Sequence, residues 1–355
     1  MSGTAFPASP LRDGETACTL VVPGLLAVGD PKWLVGGERL RPWENFLARA
    51  GCADYSAPDL SALLFDLFGV DTPAHQDLPV AAVGYRADAG RPAPGWCLRA
   101  DPVHLVADRD KLVMLGPERL SLCTAEVDAL AAEFNGVFAQ DGWRLEACAP
   151  TRWYLHLPDD PQLRSHELAR VSGRAIGEYL PRGVQGKQWQ RVLNEVQMLF
   201  HASPVNRERQ ARGEPTVNSL WFWGSGRTPS PGAAAWHQLW SNDALAAGLA
   251  QLGDIPRAAA PQSAQDWLAR LPSAGEHLLV LDGFAESGDD PQAWYAAMAR
   301  WQSQWLEPLL DALARRDIAR LSLCPADGRC FHLTRAALKR WWRRRRPLAG
   351  FLSRR

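Results

Sequence analysis

Residues 204–232 read PVNRERQARGEPTVNSLWFWGSGRTPSPG, so arginines and asparagines surround an aromatic run. The segment SLWFWG is typical of a buried strand, and Gly224 and Gly226 permit a tight turn at its carboxyl end. Ligands of open α/β sheets bind at this end of a strand, so we predict an edge that recognises anions. Arginine suits this role because its planar guanidinium donates two parallel hydrogen bonds to a phosphate or carboxylate. In the alternative interpretation, the arginines form a solvated helix face and the tryptophans are ordinary core residues.

Strand and helix patterns alternate on both sides of this stretch. Near the beginning, a buried strand is followed by two amphipathic helices; their sequences are CTLVVPGLLAV, RPWENFLARAG and PDLSALLFDLFGV. After Gln188, helical patterns alternate with the apolar strands SLWFWG, HLLVLDG and ARLSLCP. Repeated strand and helix units favour a mostly parallel sheet with helices on both faces.

The pattern between residues 80 and 157 is different. Four segments look extended and alternate in polarity, and one helical stretch lies among them; the four are VAAVGYRAD, GWCLRADPVHLVAD, DKLVMLG and TRWYLHLP. This change predicts an α+β insert at 80–189. The core would then be discontinuous, formed by 1–79 and 190–340, with a basic tail at 341–355. The predicted class is therefore an α/β fold with an inserted α+β domain.

Composition limits the functional classes. The 355 residues are 46% hydrophobic, and Lys+Arg and Asp+Glu number 39 each, so overall charge indicates neither a nucleic acid nor a membrane as partner. Seven cysteines without a Cys-x-x-Cys pair indicate neither a disulfide framework nor a zinc ribbon, which fits a reducing cytoplasm. The first residues contain no apolar signal region, and no apolar run reaches the ~18–20 residues of a transmembrane helix. We therefore expect a cytoplasmic protein without a transmembrane segment.

The stretch LNEVQMLFHASPVNRERQARGEPTVNSLWFWGSGRTP, residues 193–229, resembles a segment of the archaeal-type cofactor-independent phosphoglycerate mutases. The shared features are an Asn-x-x-Arg element, a glycine, an asparagine and a strand that ends in Trp-Gly-x-Gly-Arg. Residues 97–138 and 149–157 resemble strands and a helix of the inserted domain of the same family. More narrowly, the chain is similar to the proteobacterial regulatory proteins of the RpfE type, a divergent branch of that family.

This resemblance implies an alkaline-phosphatase-like core with an inserted substrate domain. Such mutases use two divalent metals, held by Asp and His at strand ends, together with a serine or threonine that carries the phosphoryl group. Ser56 and Ser61 flank the position implied for this nucleophile, and the alternatives stay open.

The metal ligands that the resemblance implies are mostly missing. Pro23 stands where an aspartate is expected, and proline has no side chain that binds a metal. Asp289 and Asp327 lie near positions of the Asp and His ligands without the expected histidines, and His332 either matches a distal ligand or is structural. We therefore expect a non-catalytic regulatory protein without a cofactor. An active mutase or phosphatase with rearranged ligands and a divalent metal is the alternative.

The resemblance also implies that side chains that position the substrate persist. We expect them to line a cleft between the domains and to bind a small phosphorylated or carboxylated metabolite. These residues are Arg99, Arg152, Asn206, Arg209, Asn218 and Arg227.

The tail LKRWWRRRRPLAGFLSRR contains the run Arg343, Arg344, Arg345 and Arg346 beside Trp341 and Trp342. Such a run is suited to the phosphates of nucleic acids or to anionic lipids, which would make the protein an adaptor. Alternatively, the tryptophans pack the tail against the domain and the arginines are solvated.

Overall fold

The computed structural model divides the chain into a first unit, Met1–Asp71 with Pro231–Arg355, and a second unit, Thr72–Ser230. The residues that the structure describes are 11–28, 40–55, 57, 59–72, 76–233, 236–271, 274–281, 284, 291–340 and 342–354.

A seven-stranded sheet forms the centre of the first unit. Its strands are β1 (Thr16–Val21), β3 (Gly51–Asp54), β9 (Gln238–Ser241), β10 (Arg257–Ala258), β11 (Gly275–Val280), β12 (Arg320–Cys324) and β13 (Arg329–Thr334). Their order is β10-β9-β11-β1-β12-β13-β3. The first five strands are parallel, whereas β13 and β3 add an antiparallel edge. Two short strands, β2 (Ala27–Val28) and β14 (Ser353–Arg354), pair separately.

Helices pack against this sheet through a core rich in tryptophan, including Trp43, Trp240, Trp267 and Trp301. The helices of this unit are α1 (Arg41–Arg49), α2 (Leu60–Leu67), α8 (Ala244–Leu252), α9 (Ala264–Arg270), α10 (Pro291–Trp301), α11 (Glu307–Arg315) and α12 (Arg335–Leu338). A π-helical turn at Gln302–Leu306 joins α10 to α11. Side chains at the helix starts fix the boundaries, as where Asp59 accepts a hydrogen bond from the backbone of Ala62.

The second unit is an antiparallel sheet with helices on both faces. Its strands are β4 (Trp96–Asp108), β5 (Lys111–Leu115), β6 (Arg144–Ala149), β7 (Arg152–Leu157) and β8 (Ser219–Gly226). Its helices are α3 (Val80–Ala89), α4 (Thr124–Phe138), α5 (Leu168–Val171), α6 (Gly186–His201) and α7 (Pro204–Ala211). The 13-residue β4 pairs with both β7 and β8 in its first half and with β5 in its second half, so it organises the unit.

The predicted α/β class with a mostly parallel sheet is confirmed, but two predictions of local structure were wrong. VAAVGYRAD forms α3 instead of a strand, because Val80–Tyr85 are all buried and show none of the alternation that a half-buried strand needs. SLWFWG is not a strand of the parallel core: β8 pairs antiparallel with β4, with Phe222 opposite Ala100. The second compact unit spans Thr72–Ser230, whereas the sequence pattern placed the insert at 80–189.

Three of the predicted ligand residues hold the second unit together. Asn206 donates to the carbonyls of Phe200 and Val217, both at 2.7 Å, and accepts from the Val217 backbone at 2.9 Å. Asn218 pairs with both backbone groups of Leu105.

Arg209, only 1% exposed, fixes the loop after α7 and the start of α4. It donates to the carbonyl of Pro215 at 2.8 Å and to the carbonyl of Leu120, and its Nη1 lies 2.9 Å from Glu126. These donors satisfy groups that burial would otherwise leave unpaired, so the side chain is part of the scaffold.

Arg209→Ala is therefore expected to destabilise the protein by about 3 kcal/mol, because it leaves two carbonyls without their donor and leaves Glu126 paired with Arg212 alone. Chemical denaturation followed by tryptophan fluorescence measures the change. Arg207→Ala is the matched control: the side chain lies on the same helix but is exposed and donates only to the carbonyl of Ala202. Equal stabilities of the two variants would contradict this role.

Candidate functional site

The face of the second sheet that lies beneath α3 carries an unusual number of polar side chains. Alternation along each strand explains the arrangement, since Leu98 and Phe222 point into the core formed with α4 and α6. The neighbouring positions point to the other face; they include Arg99, Asp101, Glu146, Tyr154, His156 and Trp223. We call these residues, with Tyr85 and Asp88 of α3, the polar face.

Arg99 and Asp101 form a buried ion pair at the centre of the polar face. The guanidinium donates twice to one carboxylate oxygen of Asp101, from Nε at 3.0 Å and Nη2 at 2.6 Å. Trp223 donates to the other oxygen at 2.7 Å. The rings of Trp223 and Tyr154 lie 5.3 and 5.2 Å from the guanidinium carbon, so cation–π contacts add to the pairing. The charge of Arg99 is thus compensated within the protein.

Arg152 lies two residues before Tyr154 on β7 and is 38% exposed. It forms a bidentate pair with Asp88, with distances of 2.7 and 2.9 Å. The Tyr154 hydroxyl donates to the same carboxylate at 2.6 Å, and burial raises the pKa of Tyr154, which keeps this hydroxyl protonated. Arg152 is therefore the predicted ligand residue whose cation reaches solvent from the polar face.

A second carboxylate, Glu146, gathers several donors. Tyr85 donates to it at 2.9 Å and Arg91 at 2.8 Å. Burial raises the pKa of Glu146, but the hydrogen bond from Tyr85 and the charge of Arg144 outweigh this effect and lower the pKa below its usual value. Glu146 is therefore anionic over the physiological pH range.

His156 is buried beside these groups. Its ring lies 4.6 Å from that of Tyr85, edge to face, and its Nε2 is 3.6 Å from Glu146, beyond hydrogen-bonding distance. Among the residues that the structure describes, neither ring nitrogen has a hydrogen-bond partner. Burial lowers the pKa of His156, so the ring is neutral at pH 7.

The second unit also contains a cavity of about 700 Å³. Apolar residues such as Trp221 and Leu105 form part of its wall, and the amides of Gln190, Asn194 and Gln197 come from α6. None of the six predicted ligand residues lines it. Sequence reasoning missed this cavity, although a row of amides at helical spacing was visible between 190 and 197.

The six predicted ligand residues do not converge. Arg99 and Arg152 flank Tyr154 on the polar face, whereas Arg227 lies over the ring of Trp96, 5.6 Å from its centre. Trp96 pairs with Leu157, at the opposite end of β7 from Arg152, which corresponds to about 17 Å along the strand. Arg152 and Arg227 therefore lie beside opposite ends of β7.

The residues after β1 and β12 lie where the resemblance places metal ligands. Pro23 follows β1, and backbone hydrogen bonds fasten its neighbours: Val22 donates to Cys324 at 3.0 Å, and Gly24 donates to Pro325 at 3.2 Å. Cys324 forms a disulfide with Cys330, a pairing that the sequence did not indicate. The described segments 22–24 and 324–325 therefore offer backbone groups and sulfur where a two-metal centre needs carboxylates and imidazoles, so these two segments do not fit such a centre.

The remaining metal candidates have other partners or cannot be placed. Asp327 accepts hydrogen bonds from the backbone and the guanidinium of Arg329, so its charge is neutralised. His332 lies in β13 opposite Ser322, and the two side chains form a 2.9 Å hydrogen bond. Asp289 lies outside the described residues. Within the ranges described above, no group of three or more His, Cys, Asp or Glu could hold a metal ion.

Of the two candidate nucleophiles, Ser61 lies within the described residues. Ser61 is buried in the first turn of α2, and Ser56 lies outside the described residues.

Of the helices that the structure describes, none is long and apolar enough to cross a membrane.

Comparison with known proteins supports the resemblance over part of the chain. No family model matches the sequence. The chain is 28% identical over 138 residues to a protein of Geobacter sulfurreducens described as a probable 2,3-bisphosphoglycerate-independent phosphoglycerate mutase; the match covers 37% of this chain and 33% of that protein. It is 34% identical over 59 residues to the 2,3-bisphosphoglycerate-independent phosphoglycerate mutase of Methanosarcina mazei, over 17% of this chain and 15% of the relative. These matches support homology with cofactor-independent phosphoglycerate mutases.

The fold comparison extends further along the chain. The PH0037 protein from Pyrococcus horikoshii has a similar structure, with a TM-score of 0.56 and 14% sequence identity, covering 90% of this chain and 87% of that one. At 14% identity, this likeness shows the fold alone.

The environment of His156 predicts a pH effect on stability. Because burial lowers its folded-state pKa below 6.5, the unfolded chain takes up a proton first as the pH falls through this value, and the folded state loses stability. His156→Phe removes this linkage, so thermal stability should decline less between pH 7.5 and 5 than in the wild type. His201→Gln, which changes an exposed imidazole on α6, is the control. Parallel pH profiles for wild type and His156→Phe would refute the assignment.

Proposed function

We propose that this protein is a non-catalytic, regulatory relative of the cofactor-independent phosphoglycerate mutases, of the bacterial RpfE type. One observation carries the proposal: Pro23 occupies the end of the central parallel strand, where the resemblance places an aspartate that binds metal. Two-metal phosphoryl transfer needs charged ligands that hold both cations against the phosphoryl oxygens. Proline supplies neither charge nor donor atoms.

The neighbourhood of Pro23 supports the same conclusion. Its flanking backbone is hydrogen-bonded to β12 and the following loop. The candidate carboxylate that the structure describes after β12, Asp327, is paired with Arg329. A metal would have to break this ion pair and would still lack ligands from β1. We infer that the mutase scaffold is retained for binding and that metal chemistry is not.

The proposed ligand is a small phosphorylated or carboxylated metabolite held at Arg152. Arg152 is half-exposed, and its partner Asp88 also accepts a hydrogen bond from Tyr154. Asp88 would therefore keep one donor when the guanidinium turns to an external anion. Arg99 stabilises the floor of this site through its pair with Asp101 and is not itself a contact.

We place the protein in the cytoplasm. Five cysteines are free thiols, and two of them, Cys52 and Cys123, are exposed. Exposed free thiols are typical of a reducing compartment. The disulfide between Cys324 and Cys330 links the adjacent strands β12 and β13.

The catalytic part of the proposal is tested by assaying interconversion of 3- and 2-phosphoglycerate with Mn²⁺. We expect no turnover above a heat-inactivated control. Pro23→Asp alone should not restore activity, because one carboxylate does not replace the charge that two cations need. Turnover by the wild-type protein would instead support the active mutase.

The binding part is tested by calorimetry with 3-phosphoglycerate as the probe. Arg152→Ala should weaken binding by roughly tenfold or more, because a charge-assisted hydrogen bond is lost. Arg144→Ala is the matched control, since Arg144 lies on the adjacent strand β6 and is 69% exposed. Binding that is absent, or equally weakened in both variants, would refute a site at Arg152.

A further inference from the structure

The arginine-rich tail is fastened to the first unit on both sides of its charged run. On one side, Arg343 donates to the carbonyls of Ala48 and Ala50, at 3.4 and 3.2 Å, and so caps the end of α1. On the other side, Leu348 is buried in the core. Trp342 is 62% exposed, so most of its side chain reaches solvent, and Trp341 lies outside the described residues.

Beyond Leu348, Phe351 continues the attachment. Its ring lies 6.5 Å from that of Phe331 in an edge-to-face contact. Arg344, Arg345 and Arg346 therefore form a short bridge between two anchors and do not extend as a free arm.

A cavity of about 510 Å³ lies under this bridge. Leu47, Phe331 and Phe351 supply apolar walls, and Cys52 of β3 lines it beside Phe331, its partner in the sheet. Four arginines surround the same space: Arg329, Arg343, Arg344 and Arg346. Of the described residues, neither an aspartate nor a glutamate lines it.

The four arginines differ in the partners that balance their positive charge. Arg329 is paired with Asp327, and Arg343 is partly committed to the end of α1. Arg344 and Arg346 are exposed and form no ion pair within the part of the chain that the structure describes. Two positive charges that lack an internal partner therefore border a space with apolar walls.

We infer that this cavity binds a small amphipathic anion, a phosphate or carboxylate attached to an apolar body. The cations would hold the anionic group, and Phe331, Phe351 and Leu47 would contact the apolar part. The volume lies within the ~300–1,000 Å³ of small-molecule pockets, which favours this class over a polynucleotide or a bilayer. The site belongs to the first unit, so it does not depend on the ligand proposed for Arg152.

Cys52 allows binding to be measured at the site itself. In a Cys123→Ser/Cys148→Ser background, it is the accessible thiol, because Cys18 and Cys97 are buried. Mass spectrometry follows the rate at which N-ethylmaleimide modifies Cys52. The rate is measured in the presence of adenosine 5′-monophosphate, whose apolar part is aromatic, and of decanoate, whose apolar part is aliphatic. At least one should slow modification by roughly tenfold at saturation, whereas inorganic phosphate and adenosine should not. Failure of both anions to protect Cys52 overturns the proposal.

Three single variants separate the cavity from general charge effects. Arg344→Ala and Arg346→Ala should each weaken the protecting probe roughly tenfold. Arg345→Ala removes the same charge from the same bridge, but Arg345 does not line the cavity, so its effect should stay within about twofold. Equal loss in all three variants overturns the site. A different result would assign the tail to a macromolecular partner instead. In that case no probe protects Cys52, and retention on single-stranded DNA or anionic vesicles falls equally in all three variants.

Discussion

Strand β1 is hydrogen-bonded in parallel on both sides, to β11 and to β12, and all six of its residues are buried. This pairing fixes the direction of the central strands and brings their carboxyl ends to one edge of the sheet, where α/β proteins place their ligands. The residues that follow these strands therefore decide what chemistry the first unit supports. Here they include Pro23 and Pro325, and β12 itself ends at the disulfide-bonded Cys324. The edge is fastened by its own backbone, as where Val22 donates to Cys324.

In the second unit, buried charged side chains are paired with side chains of opposite charge. Burial of an ion is tolerated only when a partner of opposite charge accompanies it, and the polar face supplies such partners in Asp101 for Arg99 and in Asp88 for Arg152. The pair with Arg99 is sealed by Trp223, whereas the pair with Arg152 opens to solvent. An external anion can therefore reach Arg152, at the exposed side of the polar face, but not the buried Arg99.

Local pattern was sufficient for the parallel core. The apolar runs that form β1, β11 and β12 predicted a mostly parallel sheet with helices on both faces, and the fold confirms it. Local pattern failed for β8, because an apolar run of this length does not reveal which sheet it joins; that depends on pairing with β4, more than a hundred residues earlier. It also failed for α3, whose short buried run resembled a strand.

The candidate ligands show the same limit. An arginine in sequence is equally compatible with a bound anion and with internal carbonyls. Arg209 bonds to the carbonyl of Leu120, 89 residues away, and only the tertiary structure reveals that contact. The cavity under the tail was hidden for the same reason, since α1 and β3 are distant in sequence from β13 and the arginine bridge. The charged run itself was visible.

The central claim is that the edge of the first sheet, beside Pro23, no longer holds metal. Anomalous diffraction from crystals grown or soaked with millimolar Mn²⁺ tests it most directly, because the signal locates each bound ion. Our account predicts no manganese peak within coordination distance of Asp327 or the segment that follows β1. A pair of manganese peaks at this edge, bound by side chains of the protein, would contradict it.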